Sequence, residues 1–188
     1  MKILKFGGKS LANDGIEKVI DIIITSHKEP LSVVVSARGN TTDELEALLE
    51  KASKGEDYTA DFQQLKDEQQ YNDSVSFEPE FQLLEKLLEG VSLLKDYSPK
   101  TKDLVLAQGE LMSAKLVATL LQHKGLESTF VDSREIFKTD AVIGNAQIIN
   151  SVSEKLTRDR FATIPPNCVA VVTGFIASTE KGDTTTLG

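Results

Sequence analysis

The chain has almost none of the residues that build disulfide scaffolds, metal centres or membrane spans. Its 188 residues include one cysteine, two histidines and no tryptophan. Cys168 has no partner for an internal disulfide, and a zinc site made of Cys and His side chains is excluded. No apolar run approaches the roughly 20 residues that cross a bilayer, and the first residues, MKILKFGG, lack the long apolar segment of a secretory signal. We therefore expect a cytoplasmic globular protein with no membrane partner.

Positive charge is also scarce. Twenty-one Lys and Arg residues stand against 29 Asp and Glu residues, which gives a net charge of −8. Because the negative field of such a surface repels phosphate backbones, no nucleic-acid partner is expected. An anionic ligand would need a local cluster of donors. The hydrophobic content of 40% is that of a globular rather than a disordered chain.

Apolar runs and helical periodicity alternate along the chain, which predicts an α/β fold. Residues 1–6, 31–35 and 168–173 are interpreted as buried strands. One helix is predicted where apolar residues follow the i, i+3, i+4, i+7 spacing, at Ile16, Val19, Ile20 and Ile23. A longer helix is predicted over residues 101–124, with Gly125 at its end. Strand, helix and strand in succession imply a mainly parallel sheet with right-handed crossovers.

The remaining segments have weaker patterns. The polar stretch 54–76 is expected to form an exposed helix, residues 146–161 a further helix, and Val142 with Ile143 part of another strand. The chain stops at Gly188, just after a Thr-rich extended piece begins. We expect the natural domain to continue beyond this point.

Chemistry-bearing residues follow the first predicted strand, at the edge where open parallel sheets place their ligands. The segment is KFGGKS, residues 5–10. Glycines let backbone N–H groups approach a phosphate closely, and two lysines with a helix start just beyond supply positive charge. A plain strand-to-helix turn with solvated lysines explains the same residues. Because a lysine inside an apolar run needs a reason, Lys5 gives the phosphate-binding interpretation equal weight.

The second and third strands end in residues that suit a small polar ligand. After the second strand come Ser36, Arg38 and Thr42, whose hydroxyl and guanidinium groups can bind polar atoms. After the third, Gly174 permits close approach of a ligand and Phe175 can wall a pocket. Each segment also fits an ordinary capped loop, so none of them defines a site by itself.

One carboxylate is predicted on an apolar helix face. In the long helix, Glu110 shares its face with apolar residues three or four positions apart: Leu106, Ala114, Val117 and Leu121. A buried carboxylate without a partner is unfavourable. Glu110 therefore either reaches water at the rim of the core or meets a cation, such as the amino group of a substrate.

Together these segments resemble the aspartokinase family. Residues 5–10 are similar to its K-F-G-G-[TS]-S signature, residues 33–37 with Thr42 to its V-V-x-S-A…T-[ND] segment, and residues 109–113 to its G-E-x-[ML]-S helix. Three further matches have the family's order and spacing: VDSR, TGFI and GDTTTLG at residues 131–134, 173–176 and 182–188. The resemblance covers the whole chain.

The resemblance implies an amino-acid-kinase fold, a three-layer αβα sandwich with a mainly parallel sheet. Residues 1–188 would be the N-terminal, acceptor-binding part of that domain. The implied activity is ATP-dependent phosphorylation of the β-carboxylate of aspartate, the first step toward lysine, threonine and methionine. The segment 90–94, GVSLL, is similar to the aspartokinase part of fused aspartokinase–homoserine dehydrogenases.

The resemblance also implies a role for each matching residue. Lys5 would be the catalytic residue that neutralises charge on the transferring phosphoryl group. The implied phosphate-binding residues are Gly7, Gly8, Lys9 and Ser10. The implied aspartate-binding residues are Ser36, Thr42, Glu110 and Phe175, with Glu110 on the α-amino group. ATP with Mg²⁺ is the implied cofactor, with no metal ligand from this chain, and a homo-oligomer is the implied assembly.

Two departures from the family pattern qualify these expectations. Lys9 stands where the family has Thr or Ser, so it is either a second phosphate cation or a solvated side chain. The family's following R-G-G-S-D segment and nucleotide-binding half are absent, so the chain alone is expected to be inactive. The competing interpretations are a non-catalytic small-ligand or regulatory module and another amino-acid kinase. The kinase interpretation predicts that Lys5, Ser36, Glu110 and Phe175 border one cleft.

Overall fold

The computed structural model describes residues 1–71 and 75–187. Its strands are β1 (Lys2–Phe6), β2 (Leu31–Val35), β3 (Ser128–Val131), β4 (Lys138–Thr139), β5 (Val169–Thr173), β6 (Ile176–Thr179) and β7 (Thr184–Thr186). Its helices are α1 (Gly15–Ser26), α2 (Thr41–Lys54), α3 (Thr59–Gln69), α4 (Glu78–Leu94), α5 (Pro99–His123), α6 (Ser133–Ile136) and α7 (Asn150–Ala162). A short 3₁₀ helix, Gly8–Leu11, follows β1.

A parallel sheet forms the centre of the fold. Its strands lie in the order β1-β2-β5-β3, and each neighbouring pair is parallel. A second sheet has the order β4-β6-β7, in which β6 and β7 are antiparallel. The predicted α/β fold with a mainly parallel sheet is therefore confirmed. The carboxyl ends of β1, β2 and β5 lie side by side at one edge.

Helices cover both faces of the parallel sheet. On one face, α1 and α5 pack against Val33, Val35, Val169 and Val171. On the other face, the end of α7 packs against side chains of β2, β3 and β5, among them Val172. Parallel strands with this apolar, β-branched composition need cover on both sides, and these layers provide it. The expected three-layer αβα sandwich is confirmed.

A second apolar cluster lies beside the sandwich and joins α2, α3 and α4 to the first part of α5. Helix α5 therefore belongs to both cores. Its most apolar 18-residue window has a mean hydropathy of 1.4, and 83% of that window is buried inside the protein. This degree of burial is typical of the central helix of a globular protein.

The prediction that the first strand is buried is wrong. In the described part of the chain, β1 pairs with β2 alone and forms an edge of the sheet. The side chain of Lys5 is exposed, and Ile3 is 63% exposed. Leu4 and Phe6 point to the side covered by α1 and α5. On the opposite side, α7 packs against β2, β3 and β5 and leaves β1 open.

Three weaker predictions are also corrected. Val142 and Ile143 form no strand, because Asp140 Oδ1 accepts the Val142 N–H and closes a turn there. The predicted helix 146–161 begins only at Asn150, since Ile148 bridges to Thr139 of β4 and Ala146 bridges to Leu187, the residue after β7. The polar stretch 54–76 forms the predicted helix as α3, and most of its residues are exposed, but Phe62 and Leu65 are buried against its neighbours. Residues 72–74 of that stretch, and Gly188, lie outside the described residues.

A buried carboxylate in the second turn of α5 attaches β7 to that helix. Asp103 is 2% exposed. Its Oδ2 accepts the N–H groups of Gly144 and Thr186, both at 2.9 Å, and its Oδ1 accepts the Thr186 hydroxyl at 2.9 Å. Three donors satisfy this charge, so Asp103 fixes both β7 and the loop before α7.

We predict that Asp103→Asn lowers the free energy of unfolding by about 2–3 kcal/mol, because the new amide NH₂ faces buried donors. Urea unfolding followed by far-UV circular dichroism measures the loss. The control is Asp21→Asn, which removes the same charge from an exposed position of α1 and should change the value by less than about 0.5 kcal/mol. Equal losses in the two variants would show that the contacts of Asp103 contribute nothing.

Candidate active site

The loops after three parallel strands are joined by backbone hydrogen bonds. The Ser36 N–H donates to the Phe6 carbonyl at 3.2 Å, and the Gly174 N–H donates to the Val35 carbonyl at 2.8 Å. The Gly39 N–H donates to the Gly8 carbonyl at 2.9 Å. The ends of β1, β2 and β5 therefore form one continuous surface at the edge where such sheets place ligands.

Gly8 is required by this packing. A Cβ atom at Gly8 would lie 2.2 Å from the Ala37 carbonyl oxygen, which no side chain tolerates. At Gly7, by contrast, an added Cβ would meet no atom within 4 Å. The two adjacent glycines thus differ in role: Gly8 lets the loops touch, and Gly7 faces open space.

Glu110 lies beneath these loops with one oxygen satisfied and one unpaired. Its residue exposure is 2%. Oε1 accepts the Ala37 N–H at 3.1 Å, whereas Oε2 is buried and has no partner among the described residues. Burial raises the pKa of Glu110 to about 7, and the hydrogen bond from Ala37 only partly opposes that rise. The sequence left two possibilities for Glu110, access to water at the rim of the core or contact with a cation. The structure excludes the first, because the carboxylate is buried.

The preceding glycine permits this contact. A Cβ atom at Gly109 would lie 2.9 Å from the Ala37 Cβ and 3.2 Å from the Thr41 Cγ2. Helix α5 therefore approaches the β2–α2 loop more closely than any other residue at this position would allow. The closeness brings the Glu110 carboxylate within hydrogen-bond distance of the loop.

Phe175 occupies a strained turn at the end of β5. Its φ angle is +62°, and the Ile176 N–H donates to the Gly174 carbonyl at 2.7 Å. A three-residue turn with positive φ is rare and unfavourable for a residue with a side chain. The Phe175 ring is 40% exposed. The strain therefore holds an aromatic ring outside the core, beside the end of β2.

The structure brings some predicted residues together and separates others. Ser36 is next to Ala37, whose N–H binds Glu110. Phe175 is next to Gly174, whose N–H binds the end of β2. Lys5 is also near a carboxyl end, but it pairs in register with Val34 and so lies on the face that α7 covers, opposite α5. The prediction that these four residues border one cleft is therefore wrong, because Lys5 leaves the sheet on the face opposite α5 and Glu110.

A polar cavity of about 850 Å³ lies next to these loops. Lys9 and Arg38 contribute cations to its lining, and Glu44 and Glu68 contribute acids. Burial and the neighbouring Glu68 raise the pKa of Glu44. Ser36, Glu110 and Phe175 are not part of this lining, so the cavity is separate from the buried carboxylate.

A hydroxyl network orders the wall of this cavity. The Thr41 hydroxyl donates to the Arg38 carbonyl at 2.6 Å and accepts from Gln69 Nε2 at 2.7 Å. The neighbouring residue Thr42, which the sequence singled out, is half-buried in the first turn of α2. Ser10 is exposed on the 3₁₀ helix.

Sequence reasoning missed the Ala37 N–H, Gly109 and Asp103. A signal for Asp103 was present, because it lies three residues before Leu106 on the apolar face that identified Glu110. The other two act through the backbone or through the lack of a side chain, and no residue pattern displays such contacts.

We predict that Glu110→Gln changes the pH dependence of stability. The folded state holds the Glu110 proton up to a pKa of about 7, whereas the ordinary value is 4.5. The free energy of unfolding of the natural protein therefore falls as the pH rises from 4.5 to 7, by about 3 kcal/mol. Glu110→Gln has no titrating group at this position, so its free energy of unfolding does not fall in this way. Relative to the natural protein, the variant therefore becomes more stable by about 3 kcal/mol between pH 5 and pH 8.

Chemical denaturation at both pH values measures the gain. Glu89→Gln, at an exposed position of α4, is the control for removing one negative charge. A Glu110→Gln difference that is the same at pH 5 and pH 8 would contradict the raised pKa.

Known proteins are similar to this chain in sequence and fold. Residues 1–188 match the model of the amino acid kinase family. The chain is 29% identical over 198 residues to lysine-sensitive aspartokinase 3 of Escherichia coli (strain K12), covering 99% of this chain and 43% of that protein. It is 28% identical over 198 residues to the chloroplastic bifunctional aspartokinase/homoserine dehydrogenase 2 of Arabidopsis thaliana, covering 97% of this chain and 22% of that protein. It thus spans less than half the length of these relatives.

A solved structure extends the comparison. The fold matches that of E. coli aspartokinase III in complex with aspartate and ADP (R-state), with a TM-score of 0.85 and 26% identity over 99% of this chain and 43% of that one. The family match covers residues 1–188, and the fold agrees with that of the solved structure. The chain therefore belongs to the amino acid kinase family.

Proposed function

We propose that the chain is the aspartate-binding part of an aspartate kinase, which transfers a phosphoryl group from ATP to the β-carboxylate of aspartate. The observation that carries this proposal is Glu110, a buried carboxylate with one unpaired oxygen beneath the loops at the carboxyl edge of the sheet. The similarity to aspartokinases, one of them solved with aspartate and ADP, supports the same substrate.

The ammonium group of aspartate satisfies Glu110. A cation at Oε2 restores the charge that burial opposes, so the bound substrate lowers the pKa of Glu110 and ionises it. Ser36 and Thr42 supply hydroxyl groups from the β2–α2 segment, and the Phe175 ring forms an apolar wall. These are roles in binding and orientation, and they leave the β-carboxylate free to react.

The segment after β1 suits the phosphate side of the reaction. The first turn of the 3₁₀ helix leaves the N–H groups of Gly8 and Lys9 without carbonyl partners inside that helix. Gly7 faces open space, and Lys9 and Ser10 are exposed. These groups fit an anion, and ATP bound there would supply the phosphoryl group. Neutralising the charge that develops as the phosphoryl group moves is the main task of a protein in this chemistry. That role for Lys5 stays a prediction from the family resemblance, because Lys5 lies on the face of the sheet opposite α5.

No Mg²⁺ ligand is expected from this chain. The described residues contain no group of three or more His, Cys, Asp or Glu side chains that could hold a metal ion. We propose that Mg²⁺ enters with ATP. The lysine, threonine and methionine pathway, the homo-oligomeric assembly and the cytoplasmic location remain predictions.

We predict that the chain binds aspartate and that Glu110→Gln weakens this binding about 10- to 150-fold, because one charge-assisted hydrogen bond contributes about 1.5–3 kcal/mol. Isothermal titration calorimetry measures the affinity. Binding by the natural chain strengthens between pH 6 and pH 8, as the Glu110 carboxyl ionises with its pKa of about 7.

The matched control is Glu80→Gln. Glu80 is also buried, 5% exposed, with an unpaired Oε2, but it pairs with Lys115 rather than with the β2–α2 loop. Its replacement should leave aspartate affinity unchanged. Equal affinities for the natural chain and Glu110→Gln would remove the basis of the proposed function.

We further predict that residues 1–188 alone show no aspartate-dependent ATP turnover. Phosphoryl transfer requires both reactants to be held in line, and that positioning contributes up to about 7–11 kcal/mol. The described residues offer only the short segment after β1 to the nucleotide. A coupled assay for ADP with purified chain tests this, and turnover near that of an intact aspartokinase would show that the nucleotide site lies within these residues.

A further inference from the structure

The VDSR segment, residues 131–134, has no part in the proposed binding of aspartate or phosphate. It lies where β3 passes into α6, and Ser133 is completely buried there, with 0% exposure. A buried serine must place its hydroxyl hydrogen bonds inside the protein. The partners of Ser133 lie on both sides of Phe175.

Three hydrogen bonds connect Ser133 to the ends of the strained turn. Its N–H donates to Thr173 Oγ1 at 2.9 Å, its Oγ lies 2.7 Å from the same Thr173 oxygen, and its Oγ lies 2.6 Å from the Ile176 carbonyl. Thr173 is two residues before Phe175 and Ile176 is the next residue after it. One side chain therefore fixes both ends of the Gly174–Phe175 turn.

The donors and acceptors of this network have one consistent order. The Ile176 carbonyl can only accept, so the Ser133 hydroxyl donates to it. The remaining contact then requires the Thr173 hydroxyl to donate to Ser133 Oγ, while Thr173 Oγ1 accepts the Ser133 N–H. The two hydroxyl groups each accept one hydrogen bond and donate another, between the Ser133 N–H that begins the series and the Ile176 carbonyl that ends it. In such a series neighbouring hydrogen bonds strengthen one another.

The residues on either side of Ser133 hold it in place. Asp132 Oδ1 accepts the Arg134 N–H at 3.0 Å and caps α6, and the Arg134 guanidinium binds the Asp132 carboxylate at 2.6 Å. The guanidinium also donates to the Thr184 hydroxyl of β7 at 3.2 Å. Ser133 is thus presented by a short, rigid segment rather than by a loop that could follow the turn.

The turn needs such support. A side chain at φ +62° is unfavourable and persists only where the surrounding structure enforces it. We infer that Ser133 is a positioning residue, which keeps Phe175 in its strained turn with the ring at the strand-end surface. The consequence for aspartate rests on the proposed function; the consequence for the turn does not.

Two pairs of variants separate this role from general stability. Ser133→Ala removes the two hydrogen bonds of the Ser133 hydroxyl and keeps the one from its backbone N–H. Ser128→Ala is its control, because Ser128 is also buried on β3 and donates to the Ala118 carbonyl at 2.6 Å. Thr173→Val removes the hydroxyl but keeps the shape, whereas Thr173→Ser keeps the hydroxyl but loses a methyl group. If Ser133→Ala fails to fold, the comparison of Thr173→Val with Thr173→Ser still tests the inference.

Amide hydrogen exchange reports the turn directly. The Ile176 N–H closes the turn on Gly174, and the Leu187 N–H donates to the Phe175 carbonyl at 2.9 Å. We expect both amides to exchange at least tenfold faster in Ser133→Ala and Thr173→Val, and to be unchanged in Ser128→Ala and Thr173→Ser, when each rate is compared with that of Val33 in β2. Unchanged Ile176 and Leu187 protection in Thr173→Val would overturn the inference.

Aspartate titrations on the same four variants test the consequence for the ligand. We expect the Kd to rise at least fivefold in Ser133→Ala and Thr173→Val only. Faster exchange with an unchanged Kd would overturn the role of the turn in binding. If the natural chain binds no aspartate, the proposed function fails, while the exchange data still decide whether Ser133 holds the turn.

Discussion

The half-satisfied carboxylate of Glu110 is the constraint on which the arrangement of the strand ends depends. Its one hydrogen bond, from the Ala37 N–H, requires α5 to lie against the β2–α2 loop, and Gly109 makes that approach possible. The other oxygen stays buried and unpaired, which is unfavourable in the free protein. Stability is thus lower than the fold could reach, and the deficit lies where a cationic group would remove it.

Helix α5 is attached to two neighbouring segments by the same kind of interaction, a buried carboxylate that accepts backbone N–H groups. Asp103 near its start and Glu110 two turns later are both buried carboxylates that accept backbone N–H groups from neighbouring segments. Asp103 has all its donors and is purely structural, whereas Glu110 lacks one. The two carboxylates lie on the same face of the same helix, but Asp103 has a structural role, whereas Glu110 has an oxygen that can still bind a ligand.

The central strands and the buried position of Glu110 could be predicted from the sequence, because the periods of helices and strands determine which residues share a face. The period placed Glu110 in the core, and apolar β-branched runs predicted the central strands. Ala37 was missed because its contribution is a backbone N–H, which every residue carries. The exposure of Lys5 was missed because strand order, and hence the edge position of β1, depends on how the chain crosses the sheet. Phe175 at positive φ contradicts local preference and is set by tertiary contacts.

The edge position of β1 has a consequence for association. Lys2 N–H donates to Pro30 and the Phe6 carbonyl accepts from Ser36, so alternate residues of β1 face β2. The backbone groups of Ile3 and Lys5 then point away from the sheet, with no partner strand among the described residues. Such an edge is a template that one more strand can extend, and lysines on it disfavour indiscriminate pairing. A strand added here would cover Ile3 and convert Lys5 from an edge residue into an interior one, at the seam between two halves of a wider sheet.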